Sequence, residues 1–427
     1  MQINRLYLKN FRGFSEREFT FHDRLTIIVG QNASGKSSLL EGLSVALGGW
    51  LCGFDGEGID KRNLIKADRR TIASKVNSAM IEQIPVIVEC DATFQNGENV
   101  TWSRSLTSLT GRTTTIGLRQ LREITENLNK KVYAADDIDI VLPIVAYYSA
   151  ARLWNEPIHR ERSIRKDKIR LDAYKRAVSF SNSITDTMNY VNRLAYVGNG
   201  NNGTDAKSKL AAIRNAIKTS LETVVQGVDV YYDMDLAEFC VQNQAGEYIQ
   251  YSHLSDGYRC AASLIIDICR RIMTLNPQLG AEAINETSGV VLIDEIDLHL
   301  HPKWQQNILN DLQRIFPKIQ FIVTTHAASV IQSAQDANLI LLKNDGTSDL
   351  SQRAYGLDVN TVLLGVMDAK VRPEAIEKKF DAIYKHKDNG ELALAYEKTG
   401  QLELLVGERD PGISELRISL DLEALED

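Results

Sequence analysis

Proline is scarce in this sequence, with 8 residues in 427, and the 27 glycines follow no period. Both facts exclude collagen-like and proline-rich architectures. No stretch approaches the ~18 consecutive apolar residues of a membrane-spanning helix. The opening MQINRLYLKNFRGF has no charged segment followed by an apolar one. No secretory leader is read there, and a cytoplasmic location is expected. Cysteine numbers only 5 (Cys52, Cys90, Cys240, Cys260 and Cys269), and none forms a CxxC pair. An odd, scattered set points to reduced thiols used as small apolar side chains. Positive charge is not in excess: 49 Lys and Arg against 56 Asp and Glu leave −7. That excludes a generally basic nucleic-acid coat protein but not a local basic groove. There is no tandem repeat and no long heptad run, hence no coiled-coil arm. The remainder, 44% hydrophobic and 25% charged, is the composition of a folded chain. Its length allows roughly two to four structural units.

The first residues alternate apolar and polar at Ile3, Leu6 and Leu8, then Phe11 and Phe14. This predicts a strand, a bend at Gly13 and a second strand near Phe19–Phe21. Leu25–Val29 is an apolar run suited to a strand buried on both faces. After Gly35, the residues Leu39, Leu40, Leu43 and Leu47 recur at helical spacing. Ile84–Phe94 and Asn99–Leu106 read as a hairpin turning at Asn96-Gly97. Leu142–Tyr148 is another buried-type strand. From Arg152 to about Ala195 the chain is polar, basic and helical in character, and Gly198–Thr204 is a break. Ala206–Val224 reads as a helix, Val228–Tyr232 and Phe239–Val241 as strands, and Asp256–Met273 as a helix with a long apolar face. Val290–Ile293, Phe321–Thr325 and Leu339–Leu342 read as buried strands. Pro302–Ile315 predicts one helix, with Pro302 in its first turn. The last ~80 residues keep helical spacing.

Gly30-Gln31-Asn32-Ala33-Ser34-Gly35-Lys36-Ser37 fits GxxxxGK followed by Ser or Thr, between a strand and a helix. The glycines let the backbone curl so that successive amides face phosphate oxygens, and the helix start adds its positive dipole end. Lys36 is placed to reach the β- and γ-phosphates, and the Ser37 hydroxyl to meet Mg²⁺. Val290–Ile293 ends in Asp294 and Glu295, so a buried strand delivers two carboxylates to the sheet edge where such folds bind ligands. Asp294 suits Mg²⁺, and Glu295 suits polarising an attacking water. Phe321–Thr325 ends in His326, whose ring can donate to a γ-phosphate or fix the water. His253-Leu254-Ser255-Asp256-Gly257-Tyr258 precedes a helix. Ser255 can cap that helix, and Gly257 leaves its backbone open to close approach. The same residues suit a second anion site or a plain helix cap.

In this order the motifs resemble a known family. LSDGY is similar to the LSGGQ-type signature of ABC ATPases, with Asp256 in place of a glycine. YLKNFRGF, GQNASGKSSLLEGL, LIDEIDLHLHPKWQ and FIVTTHAASVI resemble the RecF/SMC-type members. The likeness covers about Met1–Leu342. It implies an α/β fold: an ABC-type P-loop NTPase head with a mixed central sheet, an antiparallel β lobe and a helical lobe. The head is expected at 1–345, with the β lobe at about 1–150, a helical insertion at about 152–225 and a signature and Walker B lobe at 226–345. A helical C-terminal region is expected at 346–427. The resemblance also implies a cofactor set of ATP and Mg²⁺. Gly30, Asn32, Ala33, Ser34, Gly35, Lys36, Ser37 and Ser38 become the Walker A loop. Asp294 and Glu295 become the Walker B pair, Asp297 the start of the D-loop, and His326 the switch histidine. Ser255 and Gly257 would touch the γ-phosphate of ATP bound to a second copy, making a homo-oligomer of paired heads. No Q-loop glutamine stands out, and Arg152 is a weak substitute. His299 and His301 invite a metal reading, but LHLHP resembles the segment after Walker B in defence ATPases, and a role at the Pro302 helix start is preferred.

The compact insertion and short tail are most similar to stand-alone ATPases of anti-phage systems, the PtuA type of Septu and retron-associated systems. That implies a multimeric ATPase holding a separate HNH-type nuclease of the PtuB kind, restrained by bound ATP. An AriA-like ATPase holding a toxin would share these motifs. A RecF-type repair ATPase binding DNA directly is the alternative reading. Two basic stretches, Arg160–Arg176 and Lys61–Lys75, are candidate nucleic-acid surfaces or solvated faces, so DNA or RNA is a further candidate partner. An OLD-type nuclease needs a DxD pair after His326, and the nearest look-alike is Asp421-Leu422-Glu423. No membrane partner is expected.

Overall fold

The computed structural model describes residues 1–74, 79–133, 140–150, 170–179, 184–200, 203–223, 229–243, 245–343, 348–351, 354–367 and 369–426. These fall into two compact units, Met1–Val362 and Leu363–Asp427.

The first unit is built on a mixed six-stranded sheet. Its order is Ser348–Ser351, Asn338–Leu342, Leu25–Gly30, Ile319–Thr324, Gly289–Ile293 and Ile144–Tyr148. The last five run parallel, and Ser348–Ser351 pairs antiparallel at the edge. Parallel strands are covered on both faces, which is why these segments read as unbroken apolar runs. Gly289–Ile293 and Ile144–Tyr148 are buried at every residue. A four-stranded antiparallel sheet has the order Phe14–Thr20, Gln2–Phe11, Val86–Thr93 and Asn99–Leu106. Along Val86–Thr93, Val86, Val88, Cys90 and Ala92 are buried and their neighbours half-buried, the alternation of a sheet with one covered face.

The helix Lys36–Trp50 packs against strands of both sheets. It is buried at all but Ser37 and Ser38, so it carries no polar stripe to betray its orientation. Gly42 lies under Leu8, and a Cβ there would sit 2.9 Å from the leucine. The Trp102 indole closes the other end, donating to the Ala46 carbonyl.

The helices Ile184–Gly198, Thr204–Glu222 and Asp256–Leu275 pack together beside a three-stranded sheet, Asp229–Asp233, Glu238–Gln242 and Tyr248–Gln250. The third of these strands, the helix Arg119–Tyr133, the short hairpin Thr71–Ala73/Met80–Glu82 and the edge strand Ser348–Ser351 carry no clear sequence signal and went unread. Gly48 and Gly49 continue the helix Lys36–Trp50 rather than ending it. The single helix expected over Pro302–Ile315 is two, Pro302–Gln305 and Ile308–Ile315. The break follows from Asn307, whose amide bonds back three residues to Trp304 and whose side chain takes the Lys303 carbonyl. Half of the expected basic helical stretch, including Arg152, Arg160, Arg162, Arg165, Lys166 and Lys168, lies outside the described residues. All five cysteines are free thiols, and all but Cys52 are buried.

The second unit packs the helices Glu374–Asp388, Leu392–Val406 and Pro411–Glu426 around Phe380, Ile383, Ala395, Leu402, Ile413, Leu416 and Leu420. An Arg372–Asp410 ion pair joins the chain before the first helix to the start of the last. Among the described residues, no helix is long and apolar enough to cross a membrane.

Candidate functional site

The C-terminal ends of three neighbouring strands build the site: Leu25–Gly30, Ile319–Thr324 and Gly289–Ile293. Leu25–Gly30 pairs on one side with Ile319–Thr324 and on the other with Asn338–Leu342. At its end the chain turns sharply through two left-handed residues, Ala33 at φ 67° and Gly35 at φ 102°. Such a turn points successive amides inward, an anion-binding concavity. Gly30 is required by space: a Cβ would meet the Leu342 carbonyl at 2.4 Å and Ser34 Oγ at 2.5 Å. Gly35 is required by conformation, and the Phe14 ring already stands 3.0 Å from where its Cβ would be.

The loop has the donors a triphosphate needs. Lys36 Nζ donates to the Gly30 and Gln31 carbonyls, each at 2.8 Å, so the ammonium folds back on its own loop. Burial lowers its pKa against the pull of Asp294, Glu295 and Asp297, whose charges favour the ammonium. Ser34 Oγ is buried with no hydrogen-bond partner among the described residues, a cost that a ligand oxygen would remove. Asn32, Ala33 and Ser37 are exposed, and Gly35 and Ser38 half-buried, at the mouth of the loop.

Across the sheet edge, Asp294 is 5% exposed and its amide donates to the Tyr148 carbonyl. Its Oδ1 accepts the Thr324 hydroxyl at 2.6 Å. Glu295 stands in the left-handed region at φ 50°, rare for a non-glycine residue, and its amide donates to Thr324 Oγ1 at 2.8 Å. Asp297 Oδ1 accepts the Thr325 hydroxyl at 2.6 Å and the His326 amide at 3.3 Å. Lys36, Asp294, Glu295, Asp297 and His326 are therefore gathered at one edge, as their order predicts. Thr324 and Thr325 were missed. The signal was in the sequence: two hydroxyl residues end an otherwise apolar strand just before the histidine.

Residues able to hold a divalent cation are Ser37, whose hydroxyl is open, and Asp294. That fits the chemistry of Mg²⁺, an oxygen-binding ion usually held by one or two carboxylates and phosphates. His299 and His301 are exposed, and His301 Nδ1 accepts the Lys303 amide at 3.3 Å, capping the helix that Pro302 begins. Among the described residues, no group of three His, Cys, Asp or Glu is arranged to hold a metal.

Ser255 occupies the N-cap position of the helix Asp256–Leu275 with extended backbone, φ −61° and ψ 156°, but its hydroxyl makes no capping bond. The cap expected there is one of position only. Gly257 is needed by this chain itself: a Cβ would meet the His299 carbonyl at 2.5 Å. The signature turn thus rests against the segment after the carboxylates, while Ser255 and Asp256 stay exposed. Farther along the helix, Asp267 is bonded by Arg270, Arg271, the Tyr148 hydroxyl and the Thr187 hydroxyl. Burial pushes its carboxyl up, but the two arginines overcome this and hold it well below the usual carboxylate range.

Of the basic stretch Lys61–Lys75, Arg62 pairs with Glu41 and Asp68, and Lys66 and Arg69 with Glu82. Much of its charge is compensated locally.

Comparison with known proteins adds a family. The chain is 25% identical to the retron Ec83 probable ATPase of Escherichia coli over 87% of this chain and 77% of that protein. It is 26% identical to the retron Vc95 probable ATPase of Vibrio cholerae over 80% of this chain and 73% of that protein. A shorter match, 33% identical over 28% of this chain and 30% of the relative, is to the Septu protein PtuA of Bacillus thuringiensis. Residues 25–331, well over half of the chain, match the family described as "AAA domain, putative AbiEii toxin, Type IV TA system". The chain belongs to that AAA-domain family, and the phosphate loop, carboxylate pair and histidine just described lie within the matched span.

Proposed function

We propose that this chain is the ATP-binding and ATP-hydrolysing regulatory subunit of an anti-phage defence complex. One observation carries the reading: a phosphate loop, a carboxylate pair and a histidine meet at one sheet edge in a chain similar to retron and Septu ATPases. The loop amides and Lys36 bind the triphosphate. Glu295 takes a proton from the attacking water, and His326 orients that water or the γ-phosphate. Mg²⁺, held by Ser37 and Asp294, would offset charge on the β- and γ-phosphates.

Two heads close around two nucleotides. Ser255 and Gly257 of each head complete the site of the other, which suits an exposed Ser255 whose hydroxyl is not spent on its own helix. The closed pair restrains a partner nuclease of the HNH, PtuB-like kind, and loss of ATP releases it. A toxin of the AriA-associated kind is the other effector this architecture could hold. Direct DNA binding of the RecF kind is the weaker alternative, because Arg62, Lys66 and Arg69 are already paired with carboxylates.

The test is reconstitution with the protein encoded by the neighbouring gene. Phosphate release and cleavage of plasmid DNA are followed with ATP, with a non-hydrolysable analogue, and without nucleotide. Cleavage should be low with the analogue and rise when it is removed. Cleavage that ignores nucleotide, or a complex with no phosphate release, defeats the reading.

A further inference from the structure

We propose that Thr324 and Thr325 are positioning residues with separable tasks: Thr324 aims the Asp294–Glu295 pair, and Thr325 holds Asp297. The inference rests on the nucleotide reading of the site and assigns work that the motifs leave unassigned.

Thr324 touches three consecutive residues. Its hydroxyl donates to Asp294 Oδ1 at 2.6 Å, the same oxygen accepts the Glu295 amide at 2.8 Å, and its carbonyl accepts the Ile296 amide at 3.0 Å. A hydroxyl has one hydrogen, and a carboxylate can only accept, so the direction of the first bond is fixed and the lone pairs are left for the amide. Valine has the same shape but offers neither bond. Serine offers both but lacks the branch that stiffens χ1. Thr324 is fully buried, so nothing in solvent can take over the hydroxyl's part.

These bonds bear on a strained residue. Glu295 is held in the left-handed region at φ 50°, a conformation that persists only when its surroundings over-determine it. Thr324 supplies such a constraint from both sides, through the side chain before Glu295 and the amide after it. Thr324 also pairs in register with Ile28, two residues before Gly30. The carboxylates are thus gauged against the strand that carries the phosphate loop.

The next residue repeats the device on a different acid. The Thr325 hydroxyl donates to Asp297 Oδ1 at 2.6 Å and accepts the Ala327 amide at 3.0 Å. The His326 amide adds a second donor to the same oxygen at 3.3 Å. One short segment therefore fixes Asp294 through one threonine and Asp297 through the other. The first acid serves the nucleotide within the chain. The second sits where, on the proposed reading, the second head arrives.

The experiment compares Thr324→Val, Thr324→Ser and Thr325→Val in the full chain, with a fluorescent ATP analogue as probe. Its affinity is measured in EDTA and in Mg²⁺, and association of chains by light scattering with a non-hydrolysable analogue. Thr324→Val should bind in EDTA as the parent does, which also shows that it is folded. Its Mg²⁺-dependent gain in affinity should fall about tenfold, the usual scale for removing a group that orients a metal ligand. Thr324→Ser should recover most of that gain. Thr325→Val should keep the Mg²⁺ response and lose analogue-driven association. An unchanged Mg²⁺ response in Thr324→Val, a serine variant as impaired as valine, or identical profiles for the two valine variants overturns the proposal. A parent chain that binds no nucleotide overturns the reading of the site and, with it, this assignment.

Discussion

Two helices of this chain begin with their amides facing a place where an anion could sit, and they are built in opposite ways. Lys36–Trp50 starts from a left-handed glycine at φ 102°, is enclosed by two sheets, and has a buried serine hydroxyl and a buried lysine whose ammonium is already aimed inward. Asp256–Leu275 starts from an exposed serine in relaxed extended backbone, and its first turn holds an exposed Asp256–Arg259 pair. Strain and burial are spent where a site must be complete before its ligand comes. Their absence at the second helix is what the proposed reading requires of a surface that completes the site of a second copy.

The sharpest way to break this contrast is to act on the first site alone. Glu295→Gln should keep ATP binding and lower turnover by ~10²–10⁴, the usual worth of a general base. Closed, ATP-bound pairs should accumulate and be seen by size-exclusion chromatography. Normal hydrolysis in this variant would remove Glu295 from the chemistry. Next in size, Lys36→Ala should weaken nucleotide binding by ~10²–10³, the scale expected when one fixed donor to a phosphoryl group is deleted. Equilibrium binding of a fluorescent ATP analogue measures it, and wild-type affinity would mean the loop does not grip the phosphates.

Acting on the second helix should give the reverse pattern. Ser255→Arg should leave nucleotide affinity of the isolated chain unchanged, because the residue is exposed and its hydroxyl makes no capping bond. Hydrolysis should fall by tenfold or more, on the order of one lost transition-state contact. Mixing this variant with Lys36→Ala is the discriminating assay. Each chain then spoils a different half, and one intact composite site can form per mixed pair, so activity should partly return. No recovery would argue that both halves act within one chain.

How much of this was legible beforehand tracks the same divide. The parallel strands announced themselves because burial on both faces demands unbroken apolar runs such as Leu25–Val29 and Val290–Ile293. The phosphate loop was legible because Gly30 and Gly35 have no substitute there. The placing of Asp294, Glu295 and His326 at the sheet edge was legible because each closely follows such a strand. Thr324 and Thr325 were not, since a threonine in a strand is an ordinary residue and its task depends on which acid lies across the ladder. The split of Pro302–Ile315 was hidden because a turn at Gln306-Asn307 keeps the apolar spacing on both sides. Gly257 was read as room for a ligand; what the fold shows is that its missing Cβ makes room for the His299 carbonyl.

The smallest effect on turnover is expected from Asp267, and it tests whether the second helix is itself firmly seated. Asp267 lies in the middle of Asp256–Leu275, fully enclosed with Arg271, and takes hydroxyls from Tyr148 and Thr187. Through Tyr148 it ties this helix to the end of the strand Ile144–Tyr148, one residue pairing away from Ile293. Asp267→Asn removes the negative partner and leaves Arg271 buried beside a neutral amide. Breaking a buried pair in this way costs about 3–5 kcal/mol, read as a lower urea midpoint at neutral pH. The sign of its pH dependence is fixed by the depressed carboxyl. The unfolded chain takes up the proton first, so the wild-type contribution is intact above the ordinary aspartate pKa of about 4 and fades as pH falls below it. The gap between wild type and Asp267→Asn should therefore be widest near neutrality and narrow in acid. A gap that stayed constant down to pH 3 would show that the cluster acts through packing and not through charge. The exposed end of this helix would then be held in place by shape alone.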